Sequence, residues 1–253
     1  MLREGLSMDL TVEELSLSAW PALQTEIYDG WLLRFAEGYT KRANSVNPLY
    51  PSALAIGRKI DTCEKAYMAQ CLPTVFKLLG SEEQRTLDDA LAVRGYARID
   101  ESAVRVLDIA SFRPGPEGIK LSSAFDEPWI ECFCACSGKG KSLGTIRKIL
   151  GNVLCEKIVA AKLEGGRIVG CGYGAVDRGW VGVFDIVVDS AFRRRGFGEE
   201  LVRSILGRAK ELGAERSYLQ VVSGNVPAEN LYSKLGYREL YRYWYRMKPC
   251  SIA

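Results

Sequence analysis

The sequence predicts an α/β fold in which helices cover both faces of one mixed β-sheet. Two observations in the second half predict it. An apolar strand at 180–188 is followed by a glycine turn and an amphipathic helix at 198–212, and a second strand at 217–222 is followed by a helix at 227–235. The length of 253 residues and the hydrophobic fraction of 47% are sufficient for two modest domains with real cores.

In the first half, hydrophobic periodicity and turn signals predict a mixture of strands and helices. Thr11-Val-Glu-Glu14 has the spacing of a capping box and predicts a helix that ends near Trp20. Asp29-Gly30 lies between two apolar runs and predicts a hairpin turn. The predicted strands are 24–28, 31–36, 39–46, 74–79 and 103–109, and the predicted helices are 58–72 and 82–94.

A domain boundary is predicted at the segment 111–118, which holds two prolines and two glycines in eight residues and cannot form a regular element. We therefore expect one domain at 1–118 and a second at 119–253. The second begins with a strand at 119–123 and continues with helices at 126–136 and 143–150. Strands at 157–164 and 167–176 form a hairpin before the central strand, and 238–247 is the last strand.

The six residues Arg193-Arg-Arg-Gly-Phe-Gly198 separate the central strand from the helix that follows it. A strand, a glycine turn and a helix start form a phosphate-binding geometry, because the first N–H groups of a helix have no partner and its dipole favours an anion. Arginines add charge-assisted contacts. All six residues, Arg193, Arg194, Arg195, Gly196, Phe197 and Gly198, are candidates for binding a phosphate group.

Two motifs together resemble the GCN5-related N-acetyltransferase superfamily, whose members move an acyl group from acyl-coenzyme A to an amine. The first is Arg/Gln-x-x-Gly-x-Gly/Ala, matched by Arg193, Gly196 and Gly198. The second is an Asn followed seven residues later by a Tyr and then Leu-Gly-Tyr, matched from Asn225 through Tyr232 to Tyr237. The resemblance implies this superfamily's fold in the second half, with acetyl-CoA as the acyl donor and an amine as the acceptor.

The same resemblance assigns roles to single residues. It implies that the backbone of Ile186, Val187 and Val188 pairs with the pantetheine arm, that Asn225 contacts the pantetheine amides, and that Tyr232 is the general acid. A phenol suits that task because its ordinary pKa of about 10 lies slightly above that of a thiol.

The general base is less well defined. Many relatives carry a Glu five residues before the Asn, where this chain has Gln220, which cannot accept a proton at neutral pH. Asp185 is the candidate base, acting through water, and a hydrogen-bonded structural carboxylate is the alternative. Because of Gln220, a non-catalytic acyl-CoA-binding sensor also stays open as a second function.

The first half carries a partial echo of the second. Leu91-Ala-Val-Arg-Gly-Tyr96 parallels Tyr232-Ser-Lys-Leu-Gly-Tyr237, and a similar strand, helix and strand surround each segment. No Arg/Gln-x-x-Gly-x-Gly motif precedes residue 118. We therefore expect a degenerate acetyltransferase-like N-terminal domain that has lost the phosphate loop and shapes the acceptor side.

Other function classes are disfavoured. The net charge of +3 gives no case for nucleic-acid binding, and no histidine is present for a Ser-His-Asp triad or a His-ligated metal. Cys132, Cys134 and Cys136 are expected to pack as small apolar residues in or near a core rather than to bind zinc. Lys141 ends a degenerate Walker-like loop that makes nucleotide hydrolysis a weak third alternative. We expect a cytoplasmic protein without metal or membrane span, a monomer or homodimer.

Overall fold

In the computed structural model, which describes residues 7–112, 115, 118–138 and 143–250 (of Glu83 only the backbone), one mixed sheet of eleven strands runs through both halves. The fold class predicted from the sequence is confirmed. Its strands are β1 (Gln24–Tyr28), β2 (Trp31–Phe35), β3 (Val46–Pro48), β4 (Thr74–Leu79), β5 (Ala97–Asp108), β6 (Ile119–Ser122), β7 (Glu156–Glu164), β8 (Arg167–Asp177), β9 (Trp180–Val188), β10 (Arg216–Val222) and β11 (Arg238–Lys248).

Seven α-helices of the described residues pack against this sheet. They are α1 (Met8–Ala19), α2 (Ile56–Ala69), α3 (Arg85–Val93), α4 (Glu127–Ser137), α5 (Leu143–Gly151), α6 (Phe197–Glu211) and α7 (Val226–Lys234). One hydrophobic core holds side chains of α1, α4 and α5, a second holds those of α6 and α7, and a third holds those of α2 and α3.

Two local predictions in the first half are wrong. The predicted capping box at Thr11 lies inside α1, because Ser7 caps the helix instead and accepts a hydrogen bond from the Leu10 N–H at 3.3 Å. The predicted strand at 39–46 is a loop with a 3-10 turn at Lys41–Ala43, and only Val46–Pro48 is extended. In that loop the Asn44 side chain accepts hydrogen bonds from the Ala36 and Gly38 N–H groups, so its short polar side chain competes with strand pairing.

The last strands of the two halves are exchanged. The sheet order is β1-β2-β3-β4-β11-β5-β10-β9-β8-β7-β6, so β5 of the first half lies against β10 of the second. In return, β11 of the second half lies against β4 of the first, and both contacts are antiparallel. Backbone hydrogen bonding is therefore continuous across the boundary predicted near residue 118, and that division into domains stays a prediction.

Each half has the same order of elements around this exchange. An antiparallel hairpin and a third strand come first, then a helix, a strand that runs parallel to the third, another helix and the exchanged strand. The two echoed segments make the same turn: the Tyr96 N–H donates to the Leu91 carbonyl and the Tyr237 N–H to the Tyr232 carbonyl, both at 3.0 Å.

Among the helices in the described ranges, none is both long enough and apolar enough to cross a membrane.

Candidate active site

The two central parallel strands of the second half pair for only part of their length. β9 and β10 are in register from Trp180 and Arg216 to Val183 and Leu219, and their pairing ends there. Beyond Val183, β9 contains a bulge in which Asp185 and Ile186 lie opposite a single residue of β8, and Asp185 has a φ of 54°. A bulge adds twist and turns a strand away from its neighbour, so the ends of β9 and β10 separate into a wedge.

A cavity of about 540 Å³ opens in this wedge. Five residues selected from the sequence line it together: Asp185, Ile186, Val187, Asn225 and Tyr232. Val188 does not line the cavity. Its carbonyl accepts a hydrogen bond from Arg193 Nε at 3.2 Å, beside the phosphate loop. The cavity is large enough for a small-molecule site.

The predicted phosphate loop follows β9 and leads into α6. Arg194 and Gly196 both have left-handed backbones, with φ of 63° and 85°, and Gly196 is the N-cap of α6. No described residue accepts a hydrogen bond from the backbone N–H groups of residues 194–199. Successive unpartnered N–H groups at a helix start bind an anion, so this loop fits a pyrophosphate.

The loop and the cavity adjoin each other. The position of a Cβ on Gly198 would lie 4.0 Å from Ile186 Cγ2 and 3.5 Å from Leu231 Cδ2, so the first turn of α6 rests on a residue that lines the cavity. Arg195 is positioned by stacking over the Phe197 ring at 4.7 Å. An elongated ligand with an anionic end in the loop would therefore reach the wedge without a break.

Tyr232 lies on α7 and is 9% exposed, with its ring packed edge-on against Tyr237 at 5.8 Å. Burial, together with the nearby charge of Asp185, raises the pKa of Tyr232 to about 12. The phenol therefore keeps its proton at neutral pH, as a general acid must.

Asn225 caps α7, and its side chain accepts a hydrogen bond from the Ala228 N–H at 3.4 Å. It lines the cavity at the same time. Asn225 therefore has a structural role as a helix cap, and it is positioned to face a ligand as well.

Asp185 is held by a residue of the first half. Arg42 donates from Nη2 to the Asp185 carboxylate at 2.9 Å, and the Asp185 side chain is 10% exposed. Burial acts against the charge of Arg42, but the ion pair prevails and raises its pKa. The second carboxylate oxygen of Asp185 is buried and has no hydrogen-bond partner among the described residues. A buried carboxylate oxygen without a partner is an acceptor that a ligand or a water would satisfy.

Gln220 is fixed by contacts on both sides. Its amide donates to Ser16 Oγ of α1 at 3.1 Å and accepts from the Tyr243 hydroxyl of β11 at 3.1 Å. A glutamine that donates with one end and accepts with the other suits this position, and its role in the structure is to connect β10 to the first half.

Sequence reasoning expected the first half to shape the acceptor side but did not identify the residues that reach this cavity. Lys41, Arg42 and Asp100 line it, and Lys41 pairs with Asp100 at 2.8 Å. The loop 39–46 carried the only signal, a cluster of polar residues between two strands. No local pattern could show that this loop reaches the wedge, because that depends on the exchange of β5 and β11.

The corresponding wedge of the first half also borders a cavity, of about 920 Å³, which Pro48, Leu79 and Gln84 line, but side chains of the chain itself bond its backbone groups. Asp29 accepts hydrogen bonds from the Ala53 and Leu54 N–H groups before α2, where the second half leaves N–H groups unpartnered. Gln84 accepts from the Leu79 N–H of β4 and donates to the Pro48 carbonyl of β3. A carboxylate and an amide of the chain thus fill the donor and acceptor positions that an external ligand would need.

Two further motifs do not contribute to this site. Among the described residues, no group of three or more Cys, Asp or Glu is arranged to hold a metal ion. No disulfide joins the eight cysteines, all of which lie within the described residues. Lys141, the key residue of the nucleotide-hydrolysis alternative, lies outside the described residues.

Comparison with known proteins identifies the family. Residues 10–246 match the family described as probable histone acetyltransferase Rv0428c C-terminal. The chain is 30% identical over 244 residues to the uncharacterized N-acetyltransferase YobR of Bacillus subtilis strain 168, covering 94% of this chain and 97% of that one. It is also 28% identical over 136 residues to N-alpha-acetyltransferase 30 of Dictyostelium discoideum, covering 52% of this chain and 60% of that one.

Solved structures give the same result for the fold. A GCN5-related N-acetyltransferase from Kribbella flavida superposes with a TM-score of 0.72 at 15% identity, covering 97% of both chains. A tandem protein of this superfamily from the clavulanic acid biosynthesis pathway superposes with a TM-score of 0.61 at 12% identity, covering 83% of this chain and 76% of that one. The chain therefore belongs to the Rv0428c C-terminal family of acetyltransferases, within the GCN5-related N-acetyltransferase superfamily.

Proposed function

We propose that the protein transfers the acetyl group of acetyl-CoA to a primary amine. The observation that carries the proposal is that the cavity between β9 and β10 adjoins the phosphate loop. The wedge between β9 and β10 holds Tyr232, and it adjoins a helix start whose N–H groups at 194–199 have no described partner. The family supports acetyl transfer, and the donor and acceptor are our inference.

In this proposal the chain performs three tasks. The loop 193–198 binds the pyrophosphate through backbone N–H groups and arginines. The unpaired edge of β9 at Ile186 and Val187 pairs with the pantetheine arm, as an added strand would. Tyr232 donates a proton to the departing thiolate. Burial raises the basicity of that thiolate as well, which keeps the transfer feasible for a phenol with a pKa near 12.

Asp185 is the base that we propose for the amine. Asp185 lines the same cavity as Tyr232, Arg42 bonds one of its carboxylate oxygens, and the other is buried with no partner among the described residues. The amine proton passes to this carboxylate through a water. The first-half residues Lys41, Arg42 and Asp100 then form the acceptor side, so acceptor choice depends on the first half.

The test is an assay of CoA release with acetyl-CoA and a panel of amines. Because the matched family and a matched relative are named for histone and N-terminal acetylation, the panel includes a lysine-rich histone-tail peptide, a peptide with a free N-terminus, an amino acid and a polyamine. An acetylated product that disappears with Tyr232→Phe supports the proposal. Tight binding of acetyl-CoA with no product from any amine would favour the non-catalytic sensor.

A further inference from the structure

The cysteine-rich segment of α4 has no part in the acetyl transfer just described. Cys132 and Cys136 lie one helical turn apart on α4, and their Sγ atoms are 3.9 Å apart. A third thiol, that of Cys171 on β8, is fully buried and is close enough to Cys132 to affect its pKa. Cys132 and Cys136 are both partly exposed, so a small oxidant can reach them.

We propose that Cys132 and Cys136 form a peroxide-sensitive dithiol, in which Cys132 is the reactive thiol and Cys136 the resolving one. The Cys132 thiolate attacks one oxygen of hydrogen peroxide, the O–O bond breaks, and a sulfenic acid and hydroxide result; the hydroxide takes up the proton that the Cys132 thiol released and becomes water. The Cys136 thiol then attacks the sulfenic sulfur, a disulfide forms, and a second water leaves with the thiol proton. Two thiols are oxidised by two electrons and one peroxide is reduced to two waters.

The surroundings of Cys132 and Cys136 differ in the way that these two reaction steps require. The neighbouring Cys171 thiol, aided by Cys136 and the charge of Arg167 against burial and Asp189, lowers the pKa of Cys132. Burial and the neighbouring Cys132 raise the pKa of Cys136. Cys132 therefore has more thiolate character than Cys136, and thiolate character governs the reactivity of cysteine toward peroxide.

Closure of this disulfide would distort the end of α4. Residues four apart on a helix have Cβ atoms about 5–6 Å apart, whereas a disulfide requires roughly 3.5–4.5 Å. α4 ends at Ser137, one residue after Cys136, so its last turn can tighten at small cost. Phe133 and Ser137 of this segment line the cavity between β9 and β10. Oxidation would thus change a wall of the proposed acetyl-CoA site, a consequence that rests on the proposed function.

The first experiment is independent of activity. The reduced protein is titrated with hydrogen peroxide, its remaining thiols are alkylated, and the peptides are mapped by mass spectrometry. Cys71, which is exposed, and Cys155, which is partly exposed, are internal controls. We expect the peptide with Cys132 and Cys136 to lose two hydrogens at peroxide concentrations that leave Cys71 and Cys155 free, with fragmentation assigning the bond to this pair. Equal oxidation of the controls, or a Cys132–Cys171 link, would overturn the proposal.

Two variants keep the proposal testable if one fails to fold. Cys136→Ser should stop at the sulfenic acid, which dimedone traps, and Cys132→Ser should trap nothing at this site. A disulfide in Cys136→Ser between Cys132 and any other cysteine would contradict the assigned roles.

The coupling to the cofactor site is measured separately by titrating acetyl-CoA into the reduced and the oxidised protein. We expect oxidation to weaken binding by roughly 5-fold to 150-fold, the usual range of coupling between two sites. Equal affinity of both forms would show that the dithiol does not act on the cavity, while the mapped disulfide would still stand. Absence of binding by the reduced protein would instead contradict the proposed function.

Discussion

At the residue scale, the hydroxyl of Tyr232 is the smallest group on which the proposed chemistry depends. We expect Tyr232→Phe to lower kcat by roughly 10²-fold to 10⁴-fold, the usual contribution of a general acid, and to leave acetyl-CoA affinity nearly unchanged. The matched control is Tyr237→Phe, because that hydroxyl bonds to Ser217 at 2.6 Å instead of serving the cavity. Steady-state kinetics and calorimetric titration of both variants make the comparison. A similar loss of kcat in the two would contradict the assignment.

The raised pKa of Tyr232 gives a second prediction at this scale. A general acid must hold its proton, and a phenol with an ordinary pKa of about 10 would be mostly ionised by about pH 10.5. Burial raises the pKa of Tyr232 to about 12, which extends the protonated range upward. We therefore expect no fall in kcat due to Tyr232 between about pH 8 and about pH 10.5. A fall centred near pH 10 that is absent from Tyr232→Phe would show an ordinary phenol instead.

At the scale of elements, the two wedges are built alike and both border a cavity, but only in the first half do side chains bond the backbone groups at the wedge. Gln84 bridges β3 and β4 by accepting from the Leu79 N–H at 2.7 Å and donating to the Pro48 carbonyl at 2.8 Å. Gln84→Ala leaves these backbone groups without their partner and should lower the free energy of unfolding by about 1–3 kcal/mol. Gln24→Ala on exposed β1 is the control. Urea denaturation measures the free energy of unfolding of both variants, and an equal loss in the two would mean that the Gln84 hydrogen bonds contribute nothing to stability.

At the scale of the whole molecule, the exchanged strands make the two halves depend on each other. Residues 119–253 alone would lose β5 beside β10 and leave β11 without β4. Unpaired edges of this length favour aggregation. We expect that fragment to be insoluble or unfolded, and the full chain to unfold in one transition with equal calorimetric and van't Hoff enthalpies. A soluble fragment with native-like circular dichroism, or two separate transitions, would contradict this dependence.

The exchange of β5 and β11 also separates the features that the sequence could predict from those that it could not. Strand 180–188, the glycine loop and Tyr232 were predictable because their signals are local: periodicity, glycine positions and a fixed spacing. Arg42 was not, because it reaches Asp185 across 143 positions of the chain and depends on the pairing of β11 with β5. The strand predicted at 39–46 failed for a related reason, since Asn44 binds backbone groups of its own loop.

The central claim is that acetyl-CoA binds where the loop 193–198 meets the wedge, and calorimetric titration tests it most directly. Acetyl-CoA is titrated into the wild type and into an Arg193→Ala/Gly196→Ala double variant, with thermal unfolding confirming that the variant is folded. We expect micromolar binding of one acetyl-CoA per chain, because Asp29 already bonds the N–H groups before α2 that a second pyrophosphate would need, and loss of that binding in the variant. Undiminished binding by a folded variant, or two acetyl-CoA molecules per chain, would contradict the account.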